Sequence, residues 1–409
     1  MTQSVLIIGA GQAGAWVART LRNEGYGGGI VLCGDEQDPP YERPPLSKEQ
    51  LQAEPPCMPY LITHEEFAAL QVEWIGGDAA VRIDRGARTV ALASGATLAY
   101  GALVLATGGR AYLPPVPGFE LDCVHTLRTL PDARRLRGRF QTGARVLVVG
   151  GGWIGLEVAA AARDAGCEVT LVEMSQRLCA RSAPASLSSY LAGLHASRGV
   201  SVRLGVSVTA LRPGERGGCT AVFTDANEQQ ADFVVVGAGL KANDELAVAA
   251  GLECQGGIVV DAHCRTSEPA IYAAGDVAVL RRPDGSLRRL ESWQNAQDQG
   301  IAAAQAILGK PVHYDPVPFF WSQQYDVLMQ MAGDAACAAD WVVRAHDGLR
   351  QTHIALDDGG RLLFGLGINA PRDLRFLRRH IAEGTLLDRD GLADLSTPLE
   401  KVARLAVAG

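Results

Sequence analysis

Two ten-residue stretches carry the chemistry that is easiest to name. Residues 5–14 read VLIIGAGQAG and residues 146–155 read VLVVGGGWIG. Each is a short apolar run followed by the spacing G-x-G-x-x-G, at Gly9, Gly11 and Gly14 and again at Gly150, Gly152 and Gly155. That spacing suits a pyrophosphate. The first glycine makes a tight turn, the second lets the backbone approach the ligand, and the third lets helix and strand pack closely. The N–H groups and positive dipole end of the following helix then face the phosphates. An acidic residue near the end of the next strand would accept hydrogen bonds from an adenosine ribose. In the second copy Glu173 ends VTLVE; in the first the aligned position is Gly34, so Asp35 and Glu36 both stand as candidates. Two such cradles imply two dinucleotides. The economical combination is a bound flavin and an exchanging nicotinamide, because nicotinamide delivers a hydride and the isoalloxazine ring receives it.

Both cradles need a strand, a helix and a second strand to hold them. Helical patterning runs over Ala15–Asn23 and is stopped by Gly25 and Gly27–Gly29, after which Ile30–Cys33 reads as a strand. The second copy repeats this with a helix over Leu156–Ala165, stopped by Gly166, and a strand over Val169–Glu173. Two β-α-β units imply parallel sheets with right-handed crossovers. Further apolar strands are expected at Ala102–Ala106, Phe233–Val236 and Ile271–Ala274. From Pro316 the glycine signature fades. Val327–Ala332, Trp341–Arg344, Thr352–Leu356 and Leu362–Gly367 read as antiparallel strands, with a helix over Arg372–Glu383. The expected fold class is α/β, with two Rossmann-like dinucleotide-binding domains and a C-terminal α+β domain.

Composition narrows the function classes. The chain has 409 residues, 47% hydrophobic and 20% charged, which is ample for a packed core and is not the signature of disorder. A net charge of −7 argues against a nucleic-acid binder. Nine cysteines include no CxxC pair, so neither a disulfide framework, a structural zinc nor an in-chain iron–sulfur cluster is expected, and no metal site. The N-terminal apolar run ends in glycines after four residues, and no run approaches the ~20 apolar residues of a membrane span. A reducing cytoplasm is the expected location.

Five motifs then occur in order: YERPPLSK (41–48), LVLATGGR (103–110), GGGWIGLE (150–157), IYAAGDVA (271–278) and LESWQNAQDQG (290–300). Together they resemble the FAD-dependent ferredoxin reductases of bacterial multicomponent oxygenases, those of biphenyl- and toluene-type Rieske dioxygenases above all, and they are similar to putidaredoxin reductase. The resemblance implies a glutathione-reductase-like fold. An FAD domain would be split across 1–110 and 243–316, with an NAD domain at 111–242 and a C-terminal domain at 317–409. It implies non-covalent FAD, NADH as exchanging donor, and a Rieske-type [2Fe–2S] ferredoxin that takes electrons one at a time and feeds a terminal oxygenase, with the protein a monomer or homodimer. Lys48 and Glu157 are implied as catalytic residues near the hydride-accepting edge. Arg43, Pro44 and Lys48 would lie against the flavin, with Ala106, Thr107 and Gly108 of the ATG turn, Asp276 on the ribityl chain and the backbone near Trp293 over the ring. Ile154 falls within the NAD fingerprint.

The residues allow plainer readings beside these. Asp276 follows an Ala-Ala-Gly turn and would also serve as an N-cap if a helix followed, as expected there. Lys48 would serve as a solvated lysine, and Glu157 as an acid complementing a helix dipole. One position departs from the family: Gln323 stands in FFWSQQYD where an Asp is usual. Alternative functions on the same fold are a reductase of a cytochrome P450 ferredoxin, a disulfide reductase, or an NADH-sensing flavoprotein resembling apoptosis-inducing factor. A disulfide reductase needs a reactive cysteine where Glu42, Arg43, Pro44 and Pro45 stand. For ferredoxin docking, two arginine clusters stand out: Arg281, Arg282, Arg288 and Arg289 around a turn, and Arg372, Arg375 and Arg379, with Arg378 beside them, on one helix.

Overall fold

A computed structural model describes residues 4–214, 217–346 and 349–402. The chain divides into two compact units. One comprises Met1–Leu46, Pro55–Tyr112 and Leu240–Pro316; the other comprises Ser47–Glu54, Leu113–Gly239 and Val317–Gly409.

The first unit is built on a five-stranded sheet in the order Ile271–Ala273, Ala102–Leu105, Val5–Ile8, Ile30–Gly34, Glu73–Gly76. Every neighbouring pair is parallel. Ile8 lies opposite both Cys33 and Leu105, so the carboxyl ends of these strands are level. The central strands Val5–Ile8 and Ala102–Leu105 are apolar because both faces are covered, whereas the outer strand Glu73–Gly76 begins with an exposed glutamate. Helices Gln12–Asn23 and Trp293–Ile307 pack on one face through Val17, Leu21, Ala303 and Ala304. Small residues let these helices approach: a Cβ on Gly300 would lie 2.6 Å from the Ala13 carbonyl oxygen. An antiparallel sheet of Ala80–Asp84, Thr89–Leu92 and Thr97–Ala99 contributes Ile83, Val90 and Leu92 to the core on the other face. Asp276 is followed by a strand, Ala278–Arg281, and not by a helix. Val277 and Val279 favour extended backbone, and the strand pairs in parallel with Ile258–Val260.

The second unit holds a second five-stranded parallel sheet, in the order Ser201–Leu204, Glu168–Glu173, Arg145–Val149, Phe233–Val236, Val124–His125. Helix Trp153–Asp164 follows the second fingerprint, and helix Ala185–Ser197 leads to the outer strand. The C-terminal part is an antiparallel sheet ordered Phe319–Gln324, Val327–Gly333, Leu362–Ile368, Gln351–Leu356, Asp340–Ala345. Helix Pro371–Ala382 lies against it so closely that a Cβ on Gly365 would come within 2.7 Å of Leu377 Cδ1. Arg344 is 2% exposed and donates to the carbonyls of Leu392 at 2.5 Å, Asp394 at 3.0 Å and Thr397 at 2.7 Å, tying the C-terminal segment to its strand. Among the described residues no helix is long and apolar enough to cross a membrane.

Candidate functional site

In the first unit the carboxyl edge of the parallel sheet gathers most of the residues expected around the first dinucleotide. Gly9 has φ +108°, and a Cβ there would sit 2.2 Å from the Ala106 carbonyl oxygen. A Cβ on Gly14 would sit 2.0 Å from the Gly9 oxygen. These two glycines are therefore demanded by packing. Gly11 is not: a Cβ there would meet no protein atom within 4 Å. The helix begins at that point with no capping side chain, so its first N–H groups face the space that a pyrophosphate would occupy.

The flanking residues support this cradle. Thr107 Oγ1 donates to the Asn243 carbonyl at 2.7 Å, and Asn243 Nδ2 donates back to Thr107 O at 3.0 Å. Gly108 has φ +60°. Beyond the second strand Asp35 is exposed, while Glu36 accepts from Arg43 at 2.6 Å and from the Tyr41 hydroxyl at 2.5 Å. Asp276 lies at the same edge and acts electrostatically on Arg43, so these two share one environment. Pro44 opens a single 3-10 turn, Pro44–Ser47. The Trp293 indole nitrogen lies 3.2 Å from the Gln12 amide, which puts Trp293 beside the start of the fingerprint helix.

The second cradle repeats the geometry. Gly150 has φ +110°, and its Cβ would meet the Gly237 oxygen at 2.5 Å; that of Gly155 would meet the Gly150 oxygen at 2.0 Å; Gly152 again faces nothing within 4 Å. Glu173 is held by two backbone donors, Gly151 N–H on Oε2 and Ser175 N–H on Oε1, each at 2.7 Å. Ile154 and Met174, 45% and 75% exposed, give this edge an apolar surface. Arg177 is engaged with the carbonyls of Ala180 and Ala183 and with Ser188 Oγ, so it does not fold back toward Glu173. Arg181 was not expected at the site. Its guanidinium lies 3.2 Å from where a Gly239 Cβ would be, next to the cradle.

Lys48 and Glu157 meet within the second unit. Lys48 Nζ lies 2.6 Å from Glu157 Oε2 and 5.2 Å from the centre of the Trp321 ring. Their side chains are only 13% and 4% exposed, so the pair is desolvated and is neither a surface lysine nor a helix-end acid. Ser47 also donates to Glu157 Oε2, and Ser322 donates to Oε1 at 2.6 Å. Neither serine was expected. The signal for Ser322 was a two-residue period: Ser322 and Gln324 share the buried face of their strand, and Gln323 points to solvent between them. The departure at Gln323 thus falls on the outer face.

Two sheet edges, each with a glycine cradle and an uncapped helix start, define an α/β oxidoreductase with two dinucleotide sites. The pyridine nucleotide–disulphide oxidoreductase family matches residues 3–300, and the "Reductase C-terminal" family matches residues 319–403. Rhodocoxin reductase of Rhodococcus erythropolis is 40% identical over 99% of this chain and 94% of its own length. The ferredoxin–NAD(+) reductase component of an anthranilate 1,2-dioxygenase system from Burkholderia cepacia is 39% identical over 97% and 98%. A covalent putidaredoxin reductase–putidaredoxin complex matches in structure with a TM-score of 0.93, at 34% identity over 97% of both chains. The chain belongs to the pyridine nucleotide–disulphide oxidoreductase family, and it is an oxidoreductase that uses FAD and NADH.

Proposed function

We propose that this chain passes electrons from NADH, one at a time, to a Rieske-type [2Fe–2S] ferredoxin serving an aromatic-ring-hydroxylating dioxygenase. The balance is NADH plus two oxidised ferredoxins giving NAD⁺, two reduced ferredoxins and one proton. The observation that carries this reading is full-length similarity to a dioxygenase-system reductase, joined to two separate dinucleotide cradles in one chain. When bound, FAD supplies the conversion between a two-electron donor and one-electron acceptors.

The chain's own residues bind and orient. The body formed by 1–110 and 243–316 is assigned to FAD. Gly9, Gly11 and Gly14 would hold its pyrophosphate, Asp35 or Glu36 its ribose and Asp276 its ribityl chain, with Arg43, Pro44, Ala106, Thr107, Gly108 and Trp293 around it. The body 111–242 is assigned to NADH, with Gly150, Gly152, Ile154 and Gly155 at the pyrophosphate and Glu173 at the adenosine ribose. Residues 317–409 are assigned to the C-terminal α+β domain, which falls within the second unit. Lys48, held by Glu157, would place a positive charge beside the reacting rings and stabilise negative charge that develops there. All nine cysteines are free, which supports a reducing cytoplasm.

Anaerobic stopped-flow tests the assignment. The purified protein should be yellow, bleach with NADH, and reduce a Rieske-type ferredoxin faster than a plant-type one. A colourless protein unable to bind FAD would end the reading. Preference for the plant-type ferredoxin would move the chain to another oxygenase system.

A further inference from the structure

Behind Glu157 runs a line of buried polar side chains that the dinucleotide cradles do not use. Ser322, Gln324 and His195 are at most 1% exposed and sit on two elements, the strand Phe319–Gln324 and the last turn of helix Ala185–Ser197. Ser322 Oγ lies 2.6 Å from Glu157 Oε1, Gln324 Nε2 lies 3.1 Å from Ser322 Oγ, and His195 Nε2 lies 2.8 Å from Gln324 Oε1. The Tyr325 hydroxyl ends the line, 3.4 Å from His195 Nδ1.

Donor and acceptor inventory fixes the direction of every bond. A carboxylate paired to a lysine only accepts, so the Ser322 hydroxyl donates to it. Ser322 Oγ must then accept from the Gln324 amide N–H₂. That turns the amide oxygen toward His195, whose Nε2 must carry a proton. Burial pulls His195 below its ordinary range, which favours the neutral imidazole. Its Nδ1 is then the acceptor, and Tyr325 the donor. All the hydrogens point toward Glu157.

The far end is built with the same care. Tyr325 has φ +53°, a conformation costly for a bulky residue. Its ring packs against His195 with centroids 5.4 Å apart and lies under the Arg198 guanidinium at 4.9 Å. A glycine would turn this hairpin with less strain but would leave His195 without its donor.

We propose that Ser322, Gln324 and His195 are positioning residues: a one-way donor chain that holds the Glu157 carboxylate in one orientation, and through it fixes Lys48. The proposal rests on the reading that the Lys48–Glu157 pair faces the reacting rings.

The test uses the FAD-loaded protein and the variants Ser322→Ala, Ser322→Cys, Gln324→Leu and Glu157→Gln. Ser322→Cys keeps the side-chain shape at a slightly larger size but offers only a weak S–H donor. The limiting rate of reduction by NADH should fall about tenfold in both Ser322 variants, the worth of one hydrogen bond to a charged group, with the Kd for NADH unchanged. A second readout does not depend on turnover. ¹⁵N-labelled histidine should show His195 solely as the neutral Nε2–H tautomer at pH 7, and Gln324→Leu should release that preference. A wild-type His195 that is protonated or is the Nδ1–H tautomer overturns the chain. If Glu157→Gln is slow but both Ser322 variants are as fast as wild type, the positioning role alone falls. If Glu157→Gln is itself as fast as wild type, the reading of the pair falls and takes the proposal with it.

Discussion

Two carboxylates show how the same side chain is put to different uses by its surroundings. Glu173 stands at an open sheet edge, its oxygens steadied by two backbone N–H groups and otherwise available. It suits a ribose diol and repels a 2′-phosphate, and Arg177 is committed elsewhere. NADH should therefore give a higher kcat/KM than NADPH. Glu173→Gln should cost NADH about tenfold while costing NADPH less; an unchanged ratio of the two would remove Glu173 from the ribose. Glu157 is the opposite case, 4% exposed and wholly dependent on its partners. Lys48→Met strands a buried charge and should destabilise the fold by about 3–5 kcal/mol in denaturant titrations. Adding Glu157→Gln to Lys48→Met should recover most of that loss, because the cost lies in the orphaned charge. Equal destabilisation by the single and double variants would show that packing around Lys48 matters more than its charge.

Single strands decide much of what the rest of the chain can do. His125, 5% exposed on the strand Val124–His125 beside Phe233, is pushed down to about 4 by burial and then by Arg139 and Arg135. Its unfolded value is near 6.5, so the unfolded chain binds more protons between those values, and stability falls as pH drops from about 6.5 toward 4. The loss attributable to His125 at pH 5 should be on the order of 2 kcal/mol, and His125→Gln should show a smaller fall in Tm from pH 7 to pH 5. Arg344 on the strand Asp340–Ala345 holds three carbonyls, so Arg344→Met should lower Tm and expose the segment after Leu392 to proteolysis. The glycine fingerprints and the strands around them were legible from sequence because their signal is local: a few residues dictate a turn, a close approach and a helix start. The strand Phe319–Gln324 was missed, and with it Ser322 and Gln324, because polar residues buried on a strand look like surface. Their partners lie 165 and 129 residues away. The helix expected after Asp276 failed for the opposite reason, a local capping cue outweighed by β-branched neighbours and a waiting parallel partner.

For the molecule as a whole, a net charge of −7 means that docking of the proposed ferredoxin, if that partner is acidic, needs a local basic patch. The four arginines around the 281–289 turn are each paired locally, with Glu253, with Asp315 shared by two of them, and with Glu291. The helix Pro371–Ala382 is different. Arg372, Arg375 and Arg379 are exposed along it, and among the described residues only Arg379 is paired, with Glu383. Arg372→Glu with Arg375→Glu should raise the KM for ferredoxin about tenfold and flatten its salt dependence, leaving ferricyanide reduction by NADH unchanged. An unchanged ferredoxin KM would place docking on another surface. The first unit's sheet also has a consequence for how the protein is made. Ile271–Ala273 completes that sheet against Ala102–Leu105, although the two are far apart in the chain. At a ribosomal pace of 5–20 residues per second, the Ala102–Leu105 strand waits roughly 10–30 s for its partner. For that time an apolar strand edge stands open in the nascent polypeptide, the form of exposure most prone to wrong pairing with another chain. Soluble yield should therefore rise when chaperone supply is raised at an unchanged rate of translation, more than the stability of the finished protein would suggest.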